Sequence, residues 1–238
     1  MRDIDAIAAL QDPVRRRLYE YVAAQGREVG RNEAAEAAGV ARTLAAHHLD
    51  KLTEAGLLES GSRRLTGRSG PGAGRPAKVY TRARVERSVS LPARDYRTAA
   101  ELLAEAAEEA GLDAGLCAAA RRRGEALRGS AAPCADLAEA VEVLAARGYE
   151  PRLEGTGSDQ VADGPEGPEG EGAAVASVVR MRNCPFHAVA ERFPPLVCGM
   201  NLALLEGLLG ADGPVRARMD ARPGECCVVV EASKNNIH

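Results

Sequence analysis

The sequence predicts an α+β protein in two parts, and three observations carry that expectation. Apolar residues recur at helical spacing over the first fifty positions and again between 93 and 147, two strand-like runs follow Gly56, and the last third alternates helical with strand-like segments. With 238 residues and 45% apolar side chains, the chain can bury one large or two small cores. The pattern divides it into an N-terminal domain over 1–90, a helical connector and dimerisation region over 91–150, and a C-terminal α+β domain over 151–238.

In the stretch 5–24, Ile7, Leu10, Val14, Leu18, Tyr21 and Val22 keep helical spacing. Asp12 and Pro13 read as an N-cap and first-turn pair that starts the main helix. A short helix is expected over 31–38, ended by Gly39, and a third opens almost at once at Arg42. Helix, glycine turn, helix is helix-turn-helix spacing. Beyond Gly56, runs at 57–60 and 77–82 read as a β-hairpin with a long tip of Gly, Pro, Ser and Arg, which completes a winged helix-turn-helix. Helices follow at about 93–110, 113–128 and 135–147. The first of these carries Tyr96, Ala99, Leu103 and Ala107 on one face and suits a connector. Residues 154–172 hold six glycines and two prolines without apolar rhythm and read as a mobile acidic loop. The chain then runs strand (AAVASVVRMRN), short helix (FHAVAERF), longer helix (PLVCGMNLALLEGLLG) and two strands (VRARMD and ECCVVVEA), a β-α-β-β order.

Charge is spread unevenly. Residues 1–90 hold 16 Lys+Arg against 11 Asp+Glu, and the remainder 15 against 23, so the first part is the candidate for a polyanion. Eight basic residues between Ser60 and Arg87 stand against one acid, Glu86. In the third helix Leu44, Ala45, Leu49 and Leu52 form the expected inward stripe, with His48 beside it as a structural residue. Arg42, Thr43, Ala46, His47 and Asp50 are left toward solvent. A recognition helix sets its N-terminal residues on base edges in the major groove. Arg42 suits guanine O6 and N7, while Thr43 and His47 suit base or phosphate. On the hairpin, Arg75 suits a narrow minor groove, and Arg63, Arg64 and Lys78 suit phosphates. The partner these residues imply is double-stranded DNA.

No run of 18 uninterrupted apolar residues occurs, and the N-terminus is charged every few positions, so neither a membrane span nor a secretory signal is expected and the chain is placed in the cytoplasm. Six cysteines are too sparse for a disulfide scaffold. Four of them fall between 184 and 227, where clustered thiols in a reducing compartment read as ligands or reactive groups. Cys184 follows a strand, Cys198 lies near a helix start and Cys226 begins a strand, so three elements could converge. His187 stands three residues after Cys184, with Pro185 stiffening the turn. Cys184, His187, Cys198 and Cys226 would complete a tetrahedral zinc site; the same cysteines could hold an iron–sulfur cluster, form a switchable thiol pair, or simply pack. In a strand, Cys226 and Cys227 would face opposite ways, so that one ligates; in a loop, Cys227 could replace His187 as fourth ligand. Cys117 and Cys134 read as small buried side chains. A thiol- or metal-dependent enzyme is disfavoured, because no general base or phosphate loop accompanies the cysteines.

Through DPVRRRLYEYV, AGVARTLAAHHLDKLTEAGLLE and GRPAKVY, residues 10–84 resemble the winged-helix domain of ArsR-like bacterial repressors. With NCPFHAVAERFPPLVC and ECCV, nearly the whole chain resembles their SufR-type branch. The resemblance implies a homodimer that binds a palindromic operator and holds an iron–sulfur cluster, four-iron or two-iron, through C-terminal cysteines, most directly Cys184, Cys198 and Cys226. An ArsR-like regulator with zinc or an organic effector in the C-terminal domain is the alternative.

Overall fold

The computed structural model describes residues 2–63, 76–155 and 177–233, in two units, Met1–Arg94 and Asp95–His238. The helices expected as a separate connector belong to the second unit.

In the first unit α1 (Arg2–Ala9) precedes α2 (Pro13–Gln25). Asp12 starts α2 by accepting hydrogen bonds from the N–H groups of Val14 and Arg15, both at 2.9 Å, which satisfies two donors a helix start leaves open. The short β1 (Val29–Gly30) leads into α3 (Arg31–Ala38). Gly39 closes α3 at φ 64°, where its N–H can turn back to the helix. Then α4 (Arg42–Glu54) begins, followed by β2 (Leu58–Arg63) and β3 (Ala77–Arg82). The strands form an antiparallel sheet in the order β1-β3-β2. Leu18, Val22, Val29, Ala34, Ala45, Leu49, Leu52, Leu58 and Tyr80 make one buried core beneath it. Leu44, expected in the inward stripe, is 42% exposed, because Ala45, Leu49 and Leu52 alone span the arc that α2 and α3 cover. The hairpin tip lies outside the described residues.

The second unit holds α5 (Tyr96–Glu109), α6 (Asp113–Arg128), α7 (Leu137–Ala145), β4 (Pro151–Gly155), β5 (Ser177–Met181), α8 (His187–Ala190), α9 (Pro194–Leu209), β6 (Val215–Met219) and β7 (Val228–Ala232). Its four strands are antiparallel in the order β4-β5-β7-β6. Strand β4 is an addition to the expected β-α-β-β order: PRLEG carries one large aliphatic residue among charges and sits at a sheet edge, where no continuous apolar run is needed. Most of the acidic loop expected over 154–172 lies outside the described residues. One face of the sheet, with Val179, Met181, Val215, Val228 and Val230, packs with Ala140, Leu144, Leu205, Leu208 and Leu209 of α7 and α9. A smaller cluster of Phe193, Leu196 and Val197 receives Ala104 and Ala107 of α5. Ala107 thus faces inward, while Tyr96, Ala99 and Leu103 stay exposed. Helices α6 and α9 cross at glycines, a contact that fixes where α9 presents its side chains.

Candidate functional site

The first unit presents one candidate surface. Arg42, Thr43 and His47 stand exposed at the start and along one face of α4. Arg63 ends β2 with its Nη1 3.4 Å from Glu28 Oε2 and two-thirds of its side chain exposed. Arg64 and Arg75 lie outside the described residues. Lys78 is tied into the protein: its Nζ is 2.7 Å from Asp50 Oδ1, an oxygen that also accepts from the Tyr80 hydroxyl at 2.8 Å. Arg31 Nε donates to that hydroxyl at 3.0 Å. Burial opposes the Asp50 charge, yet donation from Lys78 and Tyr80 outweighs it and holds the carboxyl below its usual range. Lys78 is correspondingly pushed up by Asp50. The result is a latch from the outer part of α4 to strand β3 and helix α3. Sequence reading left Asp50 simply facing solvent, because partners 28 and 30 residues away leave no periodic signal.

The second unit presents the other. Cys184 follows β5, Cys198 and Asn201 lie one turn apart on α9, and Cys226 and Cys227 immediately precede β7. The Cys226 N–H donates to Met181 O at 3.0 Å, continuing the β5–β7 pairing beyond the strand and drawing Cys226 toward Cys184. Both Cys226 and Cys227 stand outside the strand, and their sulfurs take different partners: Cys226 lies beside Asn201, and Cys227 is bonded to Cys198. Cys227 is disulfide-bonded to Cys198, with their Cα atoms 6.5 Å apart, within the ordinary span for such a bond. That bond takes Cys198 and Cys227 out of the ligand set expected for a metal or cluster. His187 begins α8 with its side chain 67% exposed and its Nε2 3.2 Å from Glu191. Cys134 is buried, and Cys117 is half-buried.

Asn201 is wholly buried, beside Cys184 and Cys226. Its Nδ2 lies 3.4 Å from Cys226 Sγ and 4.0 Å from Cys184 Sγ. Its Oδ1 accepts from the buried Tyr149 hydroxyl at 2.5 Å. The Cys184 thiol donates to Cys226 and holds it below the ordinary thiol range against burial, helped by the Val228 N–H and Asn201. Giving up that hydrogen bond and being buried both push Cys184 up. The two thiols therefore titrate together and not independently. Burial also keeps the Tyr149 hydroxyl protonated, hence a donor. Neither Tyr149 nor Asn201 was marked by any pattern in the sequence.

Two free sulfurs, those of Cys184 after β5 and Cys226 before β7, stand beside the Asn201 amide, fewer than a thiolate-held inorganic group needs. Among the described residues no three His, Cys, Asp or Glu side chains stand in ready metal-ligating geometry, and the Cys198–Cys227 bond takes two of the four sulfurs out of the set.

A helix-turn-helix with an exposed recognition helix and an antiparallel wing defines a DNA-binding module of the kind transcription regulators carry. Consistent with this, a family model described as a helix-turn-helix domain matches residues 10–61. No curated protein and no solved structure matches the chain. Among the described residues no helix is long and apolar enough to cross a membrane.

Proposed function

We propose that the protein is a cytoplasmic, homodimeric transcription regulator, a repressor, that reads a palindromic operator with α4 and senses redox state or iron supply through an iron–sulfur centre. What supports this reading is the placing of Cys184 and Cys226 beside one buried amide, with Cys198 one turn before it on α9 and bonded to Cys227, in a chain that also bears a helix-turn-helix. Cys184, Cys198, Cys226 and Cys227 are the ligands; Cys227 is preferred to His187, which is turned to solvent beside Glu191. Ligation requires the Cys198–Cys227 bond to accept two electrons and two protons from a cellular dithiol, itself oxidised to a disulfide, after which the freed thiols lose their protons on binding. The exposed Tyr96, Ala99, Leu102 and Leu103 of α5 offer a face for the second copy. Occupancy controls DNA binding only if the centre favours one dimer geometry over the other.

The test is anaerobic purification of the full chain with iron, sulfide and zinc analysis. Iron and sulfide in comparable amounts, with broad visible absorption lost in Cys198→Ser, is the expected result. One zinc without sulfide selects the zinc alternative instead, and metal-free protein rejects both. Selection from a random pool of double-stranded DNA should yield sequences with two-fold symmetry, and Arg42→Ala should weaken binding to them about 10- to 100-fold. Unsymmetrical sequences would reject the dimeric reader, and unchanged affinity would remove Arg42 from the base contacts. The observed disulfide favours a second reading, in which Cys198–Cys227 is itself the sensing bond. Metal-free protein whose DNA affinity changes with dithiol, but not in Cys198→Ser, would select it.

A further inference from the structure

We infer that Asp50 restrains the DNA affinity of the helix-turn-helix by holding Arg31 and Lys78 in place of the backbone phosphates these two cations would otherwise contact; this rests on the DNA-binding reading above and not on the cysteines.

Helical spacing puts Asp50 on the same stripe of α4 as Thr43 and His47, one turn beyond His47. Its carboxylate gathers donors from two other elements of the same unit. Lys78 of β3 donates to Oδ1 at 2.7 Å and the Tyr80 hydroxyl does so at 2.8 Å, while Arg31 Nη2, at the start of α3, lies 3.6 Å from Oδ2. Buried Tyr80 fixes the arrangement. Its hydroxyl accepts from Arg31 Nε at 3.0 Å, and its ring centroid lies 5.3 Å from Lys78 Nζ and 6.0 Å from Arg31 Cζ, within cation–π range. The side chains of Arg31, Asp50 and Lys78 all remain partly exposed, so an outside anion can reach the two cations. Ion pairs this exposed add little to stability. Their larger consequence is for charge: the Asp50 carboxylate offsets two cations at the edge of the reading stripe and sets a negative group where phosphates approach. A lysine, a guanidinium and a hydroxyl converging on one anionic group are also the donors that hold a DNA phosphate. Asp50 thus takes a phosphate's place from within the chain.

The test titrates full-length protein with a fluorescent random-sequence DNA duplex over a range of salt concentrations, because the salt slope counts neutralised phosphates at about 0.9 per contact. Asp50→Asn keeps the shape and one acceptor oxygen. It should bind about tenfold tighter at physiological salt, with a slope steeper by about one to two contacts' worth. Lys78→Gln should leave the slope nearly unchanged in wild type and lower it by about one contact's worth in the Asp50→Asn background, a non-additivity that the loss of a charge by itself does not produce. Asp50→Ser supplies the same readout if the amide variant does not fold. Unchanged or weaker binding by Asp50→Asn, or equal effects of Lys78→Gln in the two backgrounds, overturns the inference and leaves the DNA-binding reading intact. Wild-type protein that does not bind the duplex overturns that reading, and this inference with it.

Discussion

Gly124→Val lowers the melting temperature of the C-terminal unit by about 10 °C, while the helix-turn-helix still melts as before. A side chain at Gly124 of α6 has nowhere to go: its Cβ would meet the carbonyl oxygen of Leu204 and lie 2.7 Å from the backbone nitrogen of Leu208 in α9. Reciprocally, a Cβ at Gly207 would meet Arg121 O and lie 3.0 Å from Glu125 N. Backbone cannot step aside as a flexible side chain can, so the helices must part, and overpacking of this kind costs about 3 kcal/mol or more. For a unit of this size that corresponds to the stated fall in melting temperature. Since α9 carries Asn201, the parted helix also moves that amide away from Cys184 and Cys226. Gly115→Ala is the control: it lies in the same helix with nothing within 4 Å of the added carbon, and it should stabilise by up to about 1 kcal/mol through helix propensity. Calorimetry resolves the two units' transitions. Equal melting of Gly124→Val and wild type would mean the helices do not approach this closely.

Arg180→Met should destabilise the same unit by about 3 kcal/mol. The Arg180 side chain is wholly buried on β5, where its guanidinium donates to Asp220 O at 2.9 Å, Asp220 Oδ2 at 2.7 Å and Glu154 Oε2 at 3.2 Å. It therefore joins the β4–β5 edge to the residues following β6. The variant leaves the acids with their charge and without the fork that matched it, although their partial exposure lets water soften the loss. Lysine should not rescue, because a point charge cannot make the three directed contacts. The effect depends on pH with a definite sign. Asp220 is held below its usual range, first by donation from Arg180, so its contribution is fully present above the unfolded carboxyl's value of 3.8 and is lost as pH falls through the lower folded value. Wild type and variant should therefore converge in stability below about pH 4. A gap that stays constant from pH 7 to pH 3 would show that Arg180 acts only by filling space.

The N-terminal half was legible because its signals are local. Asp12 caps the turn it precedes, Gly39 terminates the helix it follows, and the buried positions of α4 recur every three or four residues. Helix α6 and strand β3 likewise begin and end where composition indicated. The candidate residues for DNA contact, Arg42, Thr43 and His47, are exposed because the helix period leaves them opposite the core. Legibility failed where an element draws its stability from distant partners. Strand β4 is held by its pairing to β5 across more than twenty residues of chain, Lys78 is captured by Asp50, and Leu44 is exposed because neighbouring helices cover a narrower arc than periodicity implied.

The sequence by itself determined that a helix-turn-helix opens this chain and that four cysteines cluster near its end, since capping, glycine turns and helical period act over a few residues. Folding over longer distances decided that Cys226 and Cys227 both leave the strand, that Cys198 bonds to Cys227, that His187 turns to solvent, and that Asn201, held by Tyr149, stands beside Cys184 and Cys226. Those choices depend on distances between segments tens of residues apart, which packing of α9 against α6 and the sheet sets and which no local pattern encodes.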